Sequence, residues 1–497
     1  MSTPPHVNAS SRPSISFDLN RYSIPSNHFI DGRWTTSKSN NTQSYASAVN
    51  DQVICEDFQW AGKDDVEDAV ESAARGLKEW QSLSKAKRRD ALLKYGKLVK
   101  DHAEQIFWLE AILVGKTRKF SMFEIDHAVE ALTYYAGLTF SLDSRIVERE
   151  EDHVQYIIRQ PYGICAIVLP FNGPLVCYCM KVAAALAAGN SVVVKASELN
   201  PFSTLLAVSL AIEAGIPSGV INCITGDGSV GKALAEHMKI RKISFTGSLA
   251  VGCEVQVAAA RSNLKDVTLQ LSGNSPIIVF PDADLDKAAR HCGMFLALNG
   301  QGCTLGTRVY LHKSIFKEML PKIESLVQSY DDNLGSDPLE DTTWSSPLFH
   351  HRQRERVLQY IEQGKKEATL LCGGEPMPGP GCFLRPAIFV DPLPDARILK
   401  EEIFGPVLVV LPFEDDDEIL RLANDTEYGL RAYVWTKDLG RAFRFTNLLE
   451  AGCVGVNEGP WSLHTTYGGW KQSGVGLENG EAGLLDWVQS KSVMIRA

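Results

Sequence analysis

Between residues 163 and 247 the chain alternates two textures in a fixed rhythm. The β-branched runs "GICAIVLP" (163–170), "SVVVKA" (191–196), "VINCIT" (220–225) and "KISFTG" (242–247) are separated by helical stretches. These are "PLVCYCMKVAAALAAG" (174–189), a helix over 203–214, and "VGKALAEHM" (230–238). Short apolar strands joined through helices pair most simply in parallel, so the succession predicts a doubly wound α/β sheet. A second block of the same kind starts near 273. It holds "SPIIVF" (275–280), a helix over 284–298, "TRVYL" (307–311) and a helix over 314–329. Later it adds "VLVVLPF" (407–413), "AYVWT" (432–436) and "CVGVN" (453–457). Residues 62–137 repeat apolar side chains at three- and four-residue spacing and read as helical. "YIIRQ" (156–160) and "KSVMIR" (491–496) are isolated, unpaired strand-like pieces, suited to a small sheet shared with another subunit.

At 497 residues the chain exceeds a single core, and two to four domains are expected. Its net charge of −10 is spread without a basic block, which argues against nucleic acid or an anionic membrane as main partner. The cysteine count is 11, with no C-x-x-C pair and no H-E-x-x-H, so no metal site is expected and a reducing compartment is inferred. The first 20 residues lack the apolar centre of a secretory signal, and no apolar run approaches the length of a membrane span. The expectation is a cytoplasmic protein.

Several junctions carry chemistry. "GDGSVG" (226–231) fits G-x-G-x-x-G between a strand and a helix, and "FTGSLAVG" (245–252) is a second strand–glycine–helix junction. Either is a tight βα turn or a phosphate cradle. Lys195 and Glu198 follow one strand as a pair able to hold a ribose. In "LNGQGCTLGTR" (298–308), Cys303 stands behind Gly300 and Gly302, where absent side chains let a substrate or backbone come close; the plainer reading is an inert buried thiol. Asn172, in "LPFNGPL" (169–175), lies on an irregular turn with its amide free to donate a hydrogen bond. In "DVTLQLSGNSP" (266–276), Gln270 belongs either to an outward strand face or to a cleft at the strand's end.

Together these residues resemble the aldehyde dehydrogenase family. The resemblance runs from "FIDGRW" (29–34) to "GGWKQSGVG" (468–476). It includes "PFNGPL", "VVVKASE", "FTGSLAVG", "LQLSGNSP", "GQGC", "EEIFGPV" (401–407) and "NDTEYGL" (424–430), in order. It implies two doubly wound α/β domains, a Rossmann-like cofactor domain and a catalytic domain, plus a small oligomerisation β-element. The division expected is 1–137 with 161–272 for the cofactor, 273–483 for catalysis, and 138–160 with 484–497 for assembly as a homodimer or homotetramer.

The resemblance makes Cys303 the nucleophile that attacks an aldehyde carbon, with Asn172 and the Cys303 backbone N–H holding the oxyanion. It assigns Lys195 and Glu198 to the adenosine ribose, Ser248 to the pyrophosphate, and Glu402 and Phe404 to the nicotinamide end. It also places Pro170, Phe171, Ser197, Gly228, Phe245, Gly247 and Leu271 along the cofactor. A carboxylate at Glu198 repels a 2′-phosphate, which favours NAD over NADP.

The chain departs from the family in "LQLSG". The family's general-base glutamate is Gln270 here, and Ser272 replaces a glycine. Glutamine has no proton acceptor that titrates near neutrality, though its amide can orient a water. Glu478, in "GVGLENG" (474–480), matches a family glutamate near the water path. The family's tunnel aromatic is Gly173 and its tunnel tryptophan is Met180, which implies a wider pocket bounded by Val176, Cys177, Trp461 and Tyr467. The activity implied is NAD-dependent oxidation of a bulky aldehyde to the acid. The alternative is covalent Cys303 chemistry without hydrolysis, as in isomerisation of an unsaturated aldehyde or acyl transfer to another thiol.

Overall fold

The structure, a computed structural model, describes residues 15–459 and 462–496. Its first sheet has five parallel strands at its centre: β1 (Ile164–Val168), β2 (Ser191–Ala196), β3 (Ile221–Thr225), β4 (Lys242–Thr246) and β5 (Asp266–Gln270). They lie in the order 3-2-1-4-5. An antiparallel hairpin, His28–Ile30 with Arg33–Thr35, extends the β3 edge, and Gly474–Val475 pairs antiparallel with β5 at the other. All residues of β1, β2 and β3 are buried, as a parallel sheet covered on both faces requires. The strand order reverses between β1 and β4. Crevices outside the carboxyl ends of strands at such a switch point are where α/β sheets bind ligands.

Four helices matter to the site: α1 (Arg118–Gly137), α2 (Pro174–Ala188), α3 (Gly228–Glu236) and α4 (Leu249–Arg261). Pro174 opens α2 at its first position and Gly189 ends it at φ 95°, a left-handed conformation that costs glycine no Cβ clash. Nearly every residue of α2 is buried, because it packs between the sheet and α1.

The second sheet has seven strands. Ser275–Val279 lies inside it, parallel to the central strand Gly306–His312 on one side and to Arg431–Trp435 on the other. A third, three-stranded sheet joins Val488–Arg496, His153–Pro161 and Arg145–Arg149.

Three sequence expectations change. The pieces at 156–160 and 491–496 are not unpaired: Val488 to Arg496 runs antiparallel against Pro161 to His153. The helix expected over 203–214 spans only Phe202–Ser209 before dissolving into turns. The helix expected over 284–298 stops at Cys292. Beyond it the chain tightens to 3₁₀ geometry and kinks, with Leu298 and Asn299 both at φ 51° and Gly300 at φ 76°. Apolar periodicity cannot foresee that break. Gly300 sits against the Gly405 carbonyl, where any Cβ collides, so close packing of two loops bends the segment. Among the described residues, no helix is long and apolar enough to cross a membrane.

Candidate active site

A cleft of about 790 Å³ opens at the carboxyl ends of β1, β2, β4 and β5, within the ~300–1,000 Å³ typical of cofactor and ligand sites. Val168 and Leu169 enter it from β1, Lys195 and Ser197 from β2, Phe245 to Ser248 from β4, and Gln270 to Ser272 from β5. Pro170, Phe171, Glu198, Gly228, Glu402 and Phe404 complete the expected cofactor residues, and Asn172 and Cys303 join them, whereas the expected Glu478 is not among the lining residues. Gln353 and Arg356 also line it, and nothing in their sequence surroundings marked them.

At one end Lys195 Nζ lies 2.7 Å from Glu198 Oε2, and the Glu198 carbonyl accepts from the Tyr45 hydroxyl at 2.7 Å. The two glycine-rich junctions differ. Asp227 caps α3, its carboxylate accepting from Ser229 N at 2.8 Å, so the first-turn donors meet a negative charge already in place. Ser248 precedes α4 without any side-chain cap, which leaves that helix's N–H groups and positive dipole end open to the cleft. A free helix N-terminus for a diphosphate beside a Lys–Glu pair for a ribose fits a dinucleotide. Of the two helices, α4 and not α3 has an N-terminus without a side-chain cap, where an anion could be received.

At the other end, residues from distant parts of the chain converge. Gly273 packs on the Cys303 carbonyl where a Cβ has no room, so the turn after β5 and the cysteine loop touch. Asn172 Nδ2 donates to the Gln301 carbonyl at 3.0 Å, which uses one of its two N–H groups and leaves the other. The Tyr467 hydroxyl stands 3.9 Å from Cys303 Sγ. Burial pushes the Cys303 thiol up to about 11, and the Glu402 carboxylate acts in the same direction.

Glu402 is half-buried, and desolvation raises its pKa; it accepts from Gly273 N at 2.9 Å, and the nearby Ser272 hydroxyl opposes the rise. The serine of "LQLSG" thus stands near a carboxylate beside the nucleophile loop. Phe404, at φ 58°, lies edge-on to Phe171 with ring centroids 5.7 Å apart. Gln270, 4% exposed, donates from Nε2 to the Tyr467 carbonyl at 3.4 Å. Its Oε1 has no hydrogen-bond partner among the described residues. Glu478 pairs with buried Lys181, whose Nζ also meets Ser244 Oγ at 2.8 Å, so its charge is already balanced.

Of the expected tunnel residues, Val176 and Cys177 are half-buried on one face of α2. Met180 is buried with Ala131 and Leu463, which occupy its surroundings. Trp461 lies outside the described residues. Among the described residues no group of His, Cys, Asp and Glu is arranged to hold a metal ion, and all eleven cysteines are free thiols.

The family model for the aldehyde dehydrogenase family matches residues 34–493. Aldehyde dehydrogenase 1A1 of Gallus gallus is 38% identical over 477 residues, covering 94% of this chain and 93% of that protein. An aldehyde dehydrogenase of Alternaria alternata is 37% identical over 482 residues, covering 95% of each. An indole-3-acetaldehyde dehydrogenase of P. syringae, solved with NAD+ and IAA, superposes with a TM-score of 0.93 at 34% identity, covering 96% of this chain and 98% of that one. The shared sequence, the doubly wound sheets and the cysteine at the cleft's inner end place this chain in the aldehyde dehydrogenase family.

Proposed function

We propose that this protein oxidises a bulky aldehyde to the carboxylic acid, using NAD and Cys303. The observation that carries the reading is the convergence of Cys303, Asn172, Gln270 and Glu402 at one end of a cleft whose other end presents Lys195, Glu198 and the free N-terminus of α4. When bound, the dinucleotide supplies the hydride acceptor. Glu198 and Lys195 hold its ribose, and the Glu198 carboxylate disfavours a 2′-phosphate. The Cys303 thiolate adds to the aldehyde carbon, and the remaining Asn172 N–H with the Cys303 backbone N–H receives the oxyanion. Oxidation of that thiohemiacetal leaves a thioester on Cys303, which water must then cleave.

Deacylation is where this chain differs. Gln270 presents a buried, unsatisfied carbonyl oxygen at the end of β5. That oxygen can accept from a water and orient it but cannot take its proton. Glu478 is committed to Lys181. General-base catalysis contributes ~10²–10⁴-fold, so thioester hydrolysis is the slow step. The same Gln270 oxygen favours the second reading, in which the acyl group leaves to another thiol or an unsaturated aldehyde isomerises. We also infer the division into cofactor segments (1–137 and 161–272), a catalytic segment (273–483) and assembly segments (138–160 and 484–497). The strand Gly474–Val475 crosses from the second of these to the first sheet.

Rapid mixing with NAD and an aldehyde panel tests this. The expected result is a burst of NADH followed by slow turnover. Q270E raises the slow phase by about 10²-fold and C303S abolishes both phases. No NADH from any aldehyde overturns the reading. A lasting acyl adduct by mass spectrometry without steady NADH turnover, shortened in Q270E, favours the non-hydrolytic alternative, and an adduct unaltered in Q270E counts against it.

A further inference from the structure

Tyr467 is held by its backbone and reaches the nucleophile with its side chain. Its N–H donates to the Glu478 carbonyl at 2.7 Å and its carbonyl accepts from Glu478 N at 2.6 Å, an isolated antiparallel bridge. The same carbonyl receives Gln270 Nε2 at 3.4 Å. Its hydroxyl stands 3.9 Å from Cys303 Sγ, with no other hydrogen-bond partner among the described residues. One residue thus touches both the sulfur that forms the acyl bond and the glutamine beside which that bond must be cleaved.

While Cys303 is a thiol, either group can donate to the other. Once the sulfur ionises, the hydroxyl holds the only proton between them. Burial and the adjoining thiol push the Tyr467 hydroxyl well above its ordinary range, with Arg431 opposing, so it stays protonated at neutral pH. Arg431, 6% exposed, donates to Cys453 Sγ at 3.4 Å and lies over the Tyr433 ring, 5.5 Å from its centroid. The Tyr433 hydroxyl donates to the carbonyl of Thr304, the residue after Cys303, at 2.7 Å. Burial and Glu402 disfavour the Cys303 thiolate; the Tyr467 hydroxyl, the Cys303 backbone N–H and Arg431 favour it.

We propose that Tyr467 is a catalytic residue, its hydroxyl donating to Cys303 Sγ whenever the sulfur carries charge, before attack on the aldehyde and again as it leaves the acyl group. This rests on the aldehyde oxidation proposed above and adds a residue to it. In the attack the thiolate's electron pair forms the S–C bond. In deacylation the water oxygen bonds to the acyl carbon, the C–S pair returns to sulfur, and the water's proton passes to solvent. Tyr467 receives the returning charge. Assistance to the leaving sulfur needs no base, so it supports the one step that Gln270 cannot catalyse by proton transfer. A hydrogen bond that lowers a thiol by one pKa unit makes the thiolate about tenfold more abundant and about threefold less nucleophilic, a net gain of about threefold.

Two assays on the full chain without NAD test this, each read against C303S. Alkylation by iodoacetamide at neutral pH reports the thiolate. With p-nitrophenyl acetate, a nitrophenolate burst reports acylation of Cys303 and the steady phase reports deacylation. Y467F, which keeps the ring, should slow alkylation and the steady phase by about threefold or more. Tyr467→fluorotyrosine, a stronger donor of nearly the same shape, should quicken both, and it keeps the test standing if Y467F does not fold. Alkylation equal in wild type and Y467F, or indifferent to fluorination, overturns the proposal. A steady phase that ignores both changes overturns its leaving-group half. Both responses in a chain that makes no NADH from any aldehyde uphold Tyr467 and sink the oxidation reading instead.

Discussion

Cys303 enters the reaction as a poor thiolate, held near 11 by burial and by the carboxylate of Glu402. Without cofactor, its alkylation by iodoacetamide should be slow at neutrality and climb about tenfold per pH unit until close to that value. E402Q removes one of the two causes and should raise the neutral-pH rate, measured as loss of the Cys303 thiol by mass spectrometry. Glu124 supplies a stability readout of its own. Its folded pKa is raised from 4.5 to about 7, so the folded state holds a proton that the unfolded chain has lost across that window. The resulting stability is fully present below 4.5 and lost as pH rises through about 7. The Tm of the wild type should therefore fall across this range, and E124Q should flatten the profile. A parallel profile in E124Q would show that Glu124 titrates normally.

At the scale of elements, the two glycine-rich junctions look alike in sequence and differ in one cap. Because Asp227 already closes the N-terminus of α3, D227A should cost about 1 kcal/mol of stability while moving the KM for NAD less than about twofold. Placing a carboxylate on the open end of α4 with S248D should raise that KM by more than about tenfold, since it puts charge where the diphosphate is proposed to sit. Isothermal titration with NAD distinguishes the two variants. The cysteine segment shows the same dependence on contacts. Its composition reads as helix, yet Leu298 and Asn299 adopt left-handed backbone because Gly300 packs against the Gly405 carbonyl from more than a hundred residues away.

At the scale of the molecule, the site draws on both sheets and the C-terminal region at once. β5 pairs with Gly474–Val475, and the carbonyl that receives Gln270 belongs to Tyr467, so this late segment shapes the wall facing Cys303. The three-stranded sheet projects Ile146, Val147, Met494 and Ile495 into solvent, more apolar surface than an isolated sheet needs. We infer that it joins copies of the chain. Sedimentation should show an oligomer that I146K together with M494K reduces toward monomer, and a monomeric wild type would refute this.

The alternation of β-branched runs and helices, the glycines before Cys303 and the glutamine at 270 were legible in the sequence. Backbone preference and residue identity are local, and local periodicity is enough to specify a doubly wound sheet. Whether Gln270 faces solvent or the cleft was open until β5 was seen ending beside the cysteine loop. The open helix end, the commitment of Glu478 to Lys181 and the unpaired oxygen of Glu124 beside Gly173 were decided only by tertiary structure. Each depends on which groups, tens to hundreds of residues apart, share one desolvated volume, and hydrogen-bond satisfaction within such a volume has no signature along the chain.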